Sequence, residues 1–317
     1  MAEIISQAPI VEVNGLSKSF GPLTAVDNID FTIRPGEVFG FLGPNGAGKT
    51  TTIRMLCGIL HPTGGAGQVL GFDVITQSEQ IKAHIGYMSQ KFSLYDDLTV
   101  QENLRFYAGV QSLSRQRRVQ RVDAMLELAG LRDRRGQLAG ELSGGWKQRL
   151  ALTCALVHEP QMIFLDEPTS GVDPVSRRRF WDMIYQIADS GATFLVTTHY
   201  MDEAEQFDRL VFIDKGRITA SGSPAEIKRT AFRGRIWEIH CEPLSRAADA
   251  LRSLRIVYDV SVPGNALRVI TGAEITEPAL LRQTLEGAGV AVRSITETAP
   301  SLEDVFVSLE GANSVDL

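Results

Sequence analysis

Apolar and polar residues alternate through Ile29-Asp30-Phe31-Thr32-Ile33, the pattern of a strand with one buried face. The opening segment as a whole reads as strands. Val38-Phe39-Gly40-Phe41-Leu42 is then an unbroken apolar run that feeds a glycine-rich stretch and a helix-like segment over residues 51–60. From 99 to about 140 the spacing turns helical, with Leu104, Tyr107 and Ala108, then Val122, Met125, Leu126 and Leu128, set among charges. A second helix-like run, 146–158, follows the adjacent glycines Gly144 and Gly145. Apolar strand-like runs return at 162–165, 193–198 and 210–213, separated by helical or turn material. This alternation predicts an α/β fold on a parallel sheet covered on both faces.

The pattern changes where Ser-Gly-Ser-Pro interrupts it at 221–224. The chain is therefore divided into a first domain over 1–228 and a second over 229–317. The second contains strand-like runs at 236–241, 257–262 and 267–270, a helix near 277–286 and a final helix at 302–309, a small α+β domain.

Composition acts mainly by exclusion. A length of 317 residues suits about two domains. The net charge of −6 leaves no global basic field for nucleic acid or an anionic membrane. The basic runs at 132–135 and 177–179 read as solvated helix faces and turns. Cys57, Cys154 and Cys241 are scattered, which argues against a disulfide framework or a zinc site and predicts buried thiols in a reducing compartment. No stretch offers about 18 consecutive apolar residues, and the first residues do not form a signal peptide. Work at a membrane would need a partner.

Gly43-Pro44-Asn45-Gly46-Ala47-Gly48-Lys49-Thr50 fits G-x-x-x-x-G-K-[ST] between a predicted strand and helix. Glycines let successive N–H groups turn onto a phosphate, and the helix N-terminus adds positive potential. Gly43, Asn45, Gly46, Gly48, Lys49, Thr50 and Thr51 are the candidate contacts. Lys49 would bridge the β- and γ-phosphates and Thr50 would ligate Mg²⁺. Asp166 and Glu167 end the apolar run at 162–165. Consecutive side chains at a strand end point in opposite directions, so one carboxylate could hold Mg²⁺ while its neighbour faces an attacking water.

The phosphate loop, "LSGGWKQRL" and "FLDEPTSGVDP", in that order, resemble the nucleotide-binding subunits of ABC transporters over about residues 10–225. The resemblance implies a P-loop NTPase with a RecA-like parallel core, an antiparallel β subdomain, a helical subdomain at about 91–158 and a small C-terminal α+β domain. It implies that Phe20 stacks on adenine. Gln90, in "YMSQKFSLYDDLTVQENL", senses Mg²⁺ and the γ-phosphate, and Asp166 holds Mg²⁺ with Thr50 and Gln90. Glu167 orients and deprotonates the water, supported by Lys49 and by the switch histidine His199 in "LVTTHYMDEAE". Two copies would close head to tail on ATP, with Ser143, Gly144 and Gly145 of one copy on the γ-phosphate held by the other, and Asp173 linking the two sites. ATP and Mg²⁺ are the implied cofactors. The implied partners are a second copy and separate transmembrane permease subunits, with no nucleic acid, at the cytoplasmic face of the inner (plasma) membrane.

"DPVSRRRFWDMIYQIA", "THYMDEAEQFDR", the ending "PSLEDVF" and Trp146 resemble the drug and antibiotic exporter branch with type-2 permeases. Two departures stand out. "SGVD" replaces the commoner "SALD" but keeps Asp173, and the chain carries one ATPase unit where some relatives fuse two. Permease contact is expected at 92–97 and the helical region after Thr99, where Phe92, Leu94 and Tyr95 either face the partner or pack in the subdomain core. The rival readings are a non-transport ABC ATPase bound to ribosomes or nucleic acid, and an import ATPase. The chain lacks the second unit, long coiled coil or basic tail of the former, and its ending and "RRRFW" helix point away from the latter.

Overall fold

The computed structural model describes residues 8–91, 93–232 and 234–312, without the side chains of 309–312. Phe92 lies outside the described residues. The chain divides between Thr219 and Ala220 into two units, where the sequence reading put the change at 228.

In chain order the first unit contains β1 (Val11–Phe20), β2 (Leu23–Ile33), β3 (Val38–Leu42), α1 (Lys49–Leu56), β4 (Gly64–Val69), β5 (Phe72–Asp73), α2 (Ser78–His84) and β6 (Ile85–Met88). It continues through α3 (Val100–Val110), α4 (Arg115–Leu128), α5 (Gly144–Leu156), β7 (Met162–Asp166), α6 (Pro174–Ala188), β8 (Thr193–Thr198) and β9 (Arg209–Asp214) to β10 (Arg217–Gly222), within which the division falls. The strands form two sheets of different kinds. One has the order β10-β9-β3-β8-β7-β6, in which β9, β3, β8, β7 and β6 run parallel to one another. Every residue of β3, β7 and β8 is buried, as strands covered on both faces require. The other sheet, β2-β1-β4-β5, is antiparallel, and its alternating burial leaves one face to solvent. Val13, Leu16, Ile29, Phe31 and Ile33 of that sheet join Phe39, Phe41, Ile53 and Met55 in one core.

The helical expectation at 99–140 resolves into α3 and α4, broken at 111–114, where Ser112 takes a positive φ of 55°. Thr99 caps α3 in a capping box with Glu102, and Ser114 caps α4, so each helix carries its own start signal. The helix expected at 51–60 begins earlier and ends at Leu56, because Gly58 turns the chain with φ 67°. The run expected at 146–158 likewise starts at Gly144. Both glycines of the pair therefore lie in the first turn of α5.

The second unit runs α7 (Pro224–Thr230), β11 (Arg235–Glu242), α8 (Leu244–Arg252), β12 (Val257–Ser261), β13 (Leu267–Thr271), α9 (Ala279–Gly287), β14 (Ala291–Thr298) and α10 (Leu302–Ala312). Its sheet has the order β12-β13-β11-β14, a split βαβ arrangement in which α8 and α9 bury Trp237, Ile239, Leu267 and Val269. Strand β14, between two helices, was not read from the sequence. Arg268 of β13 anchors α10: its Nε donates to Asp304 Oδ1 at 2.8 Å and its Nη2 to Oδ2 at 2.6 Å. Burial alone would push the Asp304 carboxyl up, but the Arg268 and Ser301 hydrogen bonds outweigh it and hold the group below the ordinary carboxylate value.

Removing one partner of a buried ion pair costs about 3 kcal/mol, so Asp304→Ala should speed amide exchange in β11 and β13 by about a hundredfold. The sign of the pH dependence follows from the lowered folded pKa. The contribution is fully present above the unfolded value, about 3.9, and is lost as pH falls through the lower folded value. Exchange read by mass spectrometry checks both statements.

Candidate functional site

The site forms where β3 and β7 end on either side of β8. Gly48 caps α1 with φ 109°, a conformation that side chains rarely adopt, and a Cβ there would stand 2.5 Å from the Ala25 carbonyl oxygen. The loop thus enters α1 at an angle that only glycine permits. Asn45 and Gly46 are exposed at the loop tip, whereas Gly43, Gly48 and Lys49 are buried. Thr50 and Thr51 occupy the first turn of α1, whose free N–H groups face an incoming anion.

Lys49, only 4% exposed, donates to the carbonyls of Gly43 at 2.8 Å and Pro44 at 3.0 Å and lies 3.2 Å from Glu167 Oε1. Glu167 is 8% exposed, and its other oxygen accepts from Gln90 Nε2 at 3.1 Å. His199 Nδ1 comes within 3.4 Å of that same oxygen, too poorly aligned for a directed hydrogen bond. Asp166 accepts from the hydroxyls of Thr50 and Thr197, both at 2.9 Å. Burial, with the adjacent Glu167 charge adding to it, raises the Asp166 carboxyl above its ordinary value against the pull of those two hydrogen bonds.

Lys49, Thr50, Gln90, Asp166, Glu167 and His199, drawn from four separate stretches, therefore meet. The separation of the two carboxylates does not come from strand alternation. β7 ends at Asp166, and Glu167 has a left-handed φ of 47°. That conformation costs of the order of 1–3 kcal/mol for a non-glycine residue and turns Glu167 out of the strand toward Lys49. Its backbone N–H is held by Thr197 Oγ1 at 2.9 Å. The sequence reading missed Thr197, which touches both carboxylate residues, since a threonine at the end of β8 carries no signal of its own. A buried carboxylate beside a hydroxyl suits Mg²⁺, which takes one or two carboxylates and completes its shell with water and phosphate.

Ser143, Gly144, Gly145 and Asp173 form a second group. Among the described residues no hydrogen bond or ion pair joins Ser143 or Asp173 to the first. Ser143 is the N-cap of α5 and is exposed. Asp173 caps α6, accepting from Ser176 N at 2.9 Å, and that bond holds its carboxyl below the usual range. The two helix starts touch: a Cβ on Gly145 would lie 2.5 Å from Ser176 Oγ and 2.6 Å from its Cβ. A Cβ on Gly144 would meet nothing within 4 Å. Phe20, at the end of β1, is 48% exposed, with Lys18 Nζ 5.1 Å from its ring centre.

The three cysteines are buried and free, and burial raises all three thiols. Among the described residues no helix is long and apolar enough to cross a membrane.

The sequence matches the ABC transporter family over residues 26–170 and the C-terminal domain of DrrA1-3-like ATP-binding proteins over 222–309. It is 49% identical over 219 residues to the probable multidrug ABC transporter ATP-binding protein YbhF of Escherichia coli (strain K12), covering 69% of this chain and 38% of that protein. The chain thus matches well under half of that relative's length. It is 36% identical over 305 residues to the daunorubicin/doxorubicin resistance ATP-binding protein DrrA of Streptomyces peucetius, covering 95% of this chain and 92% of that one. A solved ATP-binding subunit of an ABC transporter superposes with a TM-score of 0.63 at 30% identity, over 69% of this chain and 92% of that one.

The contact between α5 and α6 gives a stability test. Gly145→Ala should destabilise the chain by about 1–3 kcal/mol through overpacking. Ser176→Gly should recover part of that loss when combined with it, giving a non-additive double-mutant cycle in denaturant unfolding. Additive effects would mean that the two positions do not touch.

Proposed function

The chain belongs to the ABC transporter ATP-binding family, and on that footing we propose that it binds and hydrolyses ATP to power export through a separate membrane permease. The observation that carries the ATPase reading is the convergence of Lys49, Gln90 and His199 on the Glu167 carboxylate beside the phosphate loop. The export reading draws support from the match that runs through the C-terminal domain into a drug-resistance protein.

The N–H groups of residues 45–51 bind the phosphates, and Phe20 offers its exposed ring to the base. Thr50 and Asp166 hold Mg²⁺, with Gln90 beside them. When bound, the ion neutralises charge on the phosphate oxygens. Glu167 orients the attacking water and takes its proton, and Lys49 balances charge developing on the γ-phosphate. Such catalysis is largely positioning and charge stabilisation. His199 completes the contacts around the γ-phosphate.

The second copy enters through Ser143, Gly144 and Gly145. Nothing inside this chain crowds Gly144, so its missing side chain serves an outside approach. The start of α5 adds a favourable field for an anion. The reading is a head-to-tail dimer closed by ATP, with Asp173 beside the opposite site, and released when the γ-phosphate contacts are lost. The permease binds beside Gln90, at a groove of about 340 Å³ lined by Met88, Leu94, Tyr107 and Val110. Tyr95, 44% exposed, packs its ring edge on Phe106 at 4.7 Å next to that groove. The chain would then sit at the cytoplasmic face of the membrane through its partner.

Glu167→Gln should bind ATP yet hydrolyse it at least about a hundredfold more slowly, the scale of a positioned base. Near-normal turnover would remove Glu167 from its role. The same variant, trapped with ATP and Mg²⁺ in its native membranes, should co-purify with a polytopic permease. Ribosomes, nucleic acid or an isolated dimer would leave the ATPase chemistry and remove the transport reading.

A further inference from the structure

In the basic run at 177–179, Arg178 and Arg179 are exposed as a solvated face requires, but Arg177 is not. Arg177 is only 19% exposed at its side chain and reaches the segment that follows His199. Its guanidinium carbon stands 4.2 Å from the centre of the Tyr200 ring, and Nη1 donates to Asp202 Oδ2 at 3.1 Å. Its Nε lies 3.7 Å from Glu203 Oε1. Glu203 is 2% exposed, and neither of its oxygens accepts a hydrogen bond in the structure. A buried carboxylate in that state leans on the nearest cation, which here is Arg177.

Arg177 is one member of a stripe. Arg177, Trp181 and Tyr185 are spaced by four along α6 and share one face. Trp181 packs edge-on against Phe207 at 5.4 Å, and the Tyr185 hydroxyl donates to the Gln206 carbonyl at 2.5 Å. The stripe thus holds the short helical segment Met201–Gln206 at both ends. At the near end the contacts continue inward. The Tyr200 ring lies 4.2 Å from the His199 imidazole, centre to centre, and His199 Nδ1 is 3.4 Å from Glu167 Oε2.

We infer that Arg177 and Tyr200 are positioning residues that fix the His199 imidazole against Glu167, so that α6 sets the geometry of the hydrolytic site. The physical reasons are chain connectivity and stiffness. His199 sits just past β8, where the backbone leaves the sheet and no ladder orients it. A Tyr200 ring that meets both the His199 imidazole and the Arg177 guanidinium at 4.2 Å has few alternative rotamers. The same helix begins at Asp173 and touches Gly145, so a shift of α6 would reach His199 through two side chains.

The inference rests on the proposed ATPase reading, and the experiment separates the two. Full-length Tyr200→Leu, Tyr200→Phe, Arg177→Gln and Glu167→Gln chains are assayed for steady-state ATP hydrolysis and for equilibrium binding of a fluorescent ATP analogue. Tyr200→Leu and Arg177→Gln should lower kcat by about tenfold to a hundredfold, the scale of a misplaced catalytic group. KM and analogue binding should move by less than about threefold, since the phosphate loop is untouched. Tyr200→Phe keeps the ring and should restore most of the rate. Unchanged kcat in Tyr200→Leu and Arg177→Gln, equal losses of binding and rate, or failure of Phe to restore activity would each overturn the inference. Should Tyr200→Leu not fold, Arg177→Gln and Tyr200→Phe carry the same test. Normal hydrolysis by Glu167→Gln would overturn both readings. An inactive Glu167→Gln beside a fully active Tyr200→Leu would overturn this one alone.

Discussion

Lys49 and Glu167, almost wholly buried and 3.2 Å apart, set the terms for much of the first unit. Neither charge could be held there alone, because an unpaired buried ion costs several kcal/mol. The ammonium also donates to two loop carbonyls, and the carboxylate accepts from Gln90, so the desolvation of each is offset by several partners. This arrangement requires the phosphate loop, the end of β7 and the segment after β6 to arrive together. The parallel sheet meets that requirement by placing the ends of β3, β8, β7 and β6 in a row, the place where open α/β sheets carry their ligands.

Tension within the site is local and specific. Glu167 is bent into a left-handed conformation and pinned by Thr197, while Asp166 is buried with its carboxyl pushed up. Such features persist where the surroundings over-determine them, and here two strands and a hydroxyl ladder do so. The neighbouring helix starts are built on another principle. Gly145 and Ser176 interlock, Asp173 caps α6 through Ser176 N, and Ser143 is exposed at the start of α5.

The second unit reaches stability by a different route. Its split βαβ sheet buries an apolar face under α8 and α9, and α10 is tied down by the Arg268–Asp304 pair.

Much of this protein was legible before any coordinates. The phosphate loop, the acidic pair at the end of β7 and the glycine pair that opens α5 are local signals, because phosphate binding needs particular residues at fixed spacing along a loop and helix start. The mostly apolar runs of β3, β7 and β8 announced a two-sided sheet, since burial on both faces suits them. Strands β6 and β14 escaped notice: they are short or half-polar, and their identity comes from the neighbours with which they pair. What only the tertiary structure decided lies in contacts between distant stretches. That Glu167 turns by a positive φ, that Thr197 joins both acidic residues, and that Arg177 reaches Tyr200 from another element all depend on side chains whose partners are separated by dozens of residues or by a full sheet crossing. Local sequence determines which groups are available and which backbone shapes they allow; packing of the sheet and its helices decides which of them meet.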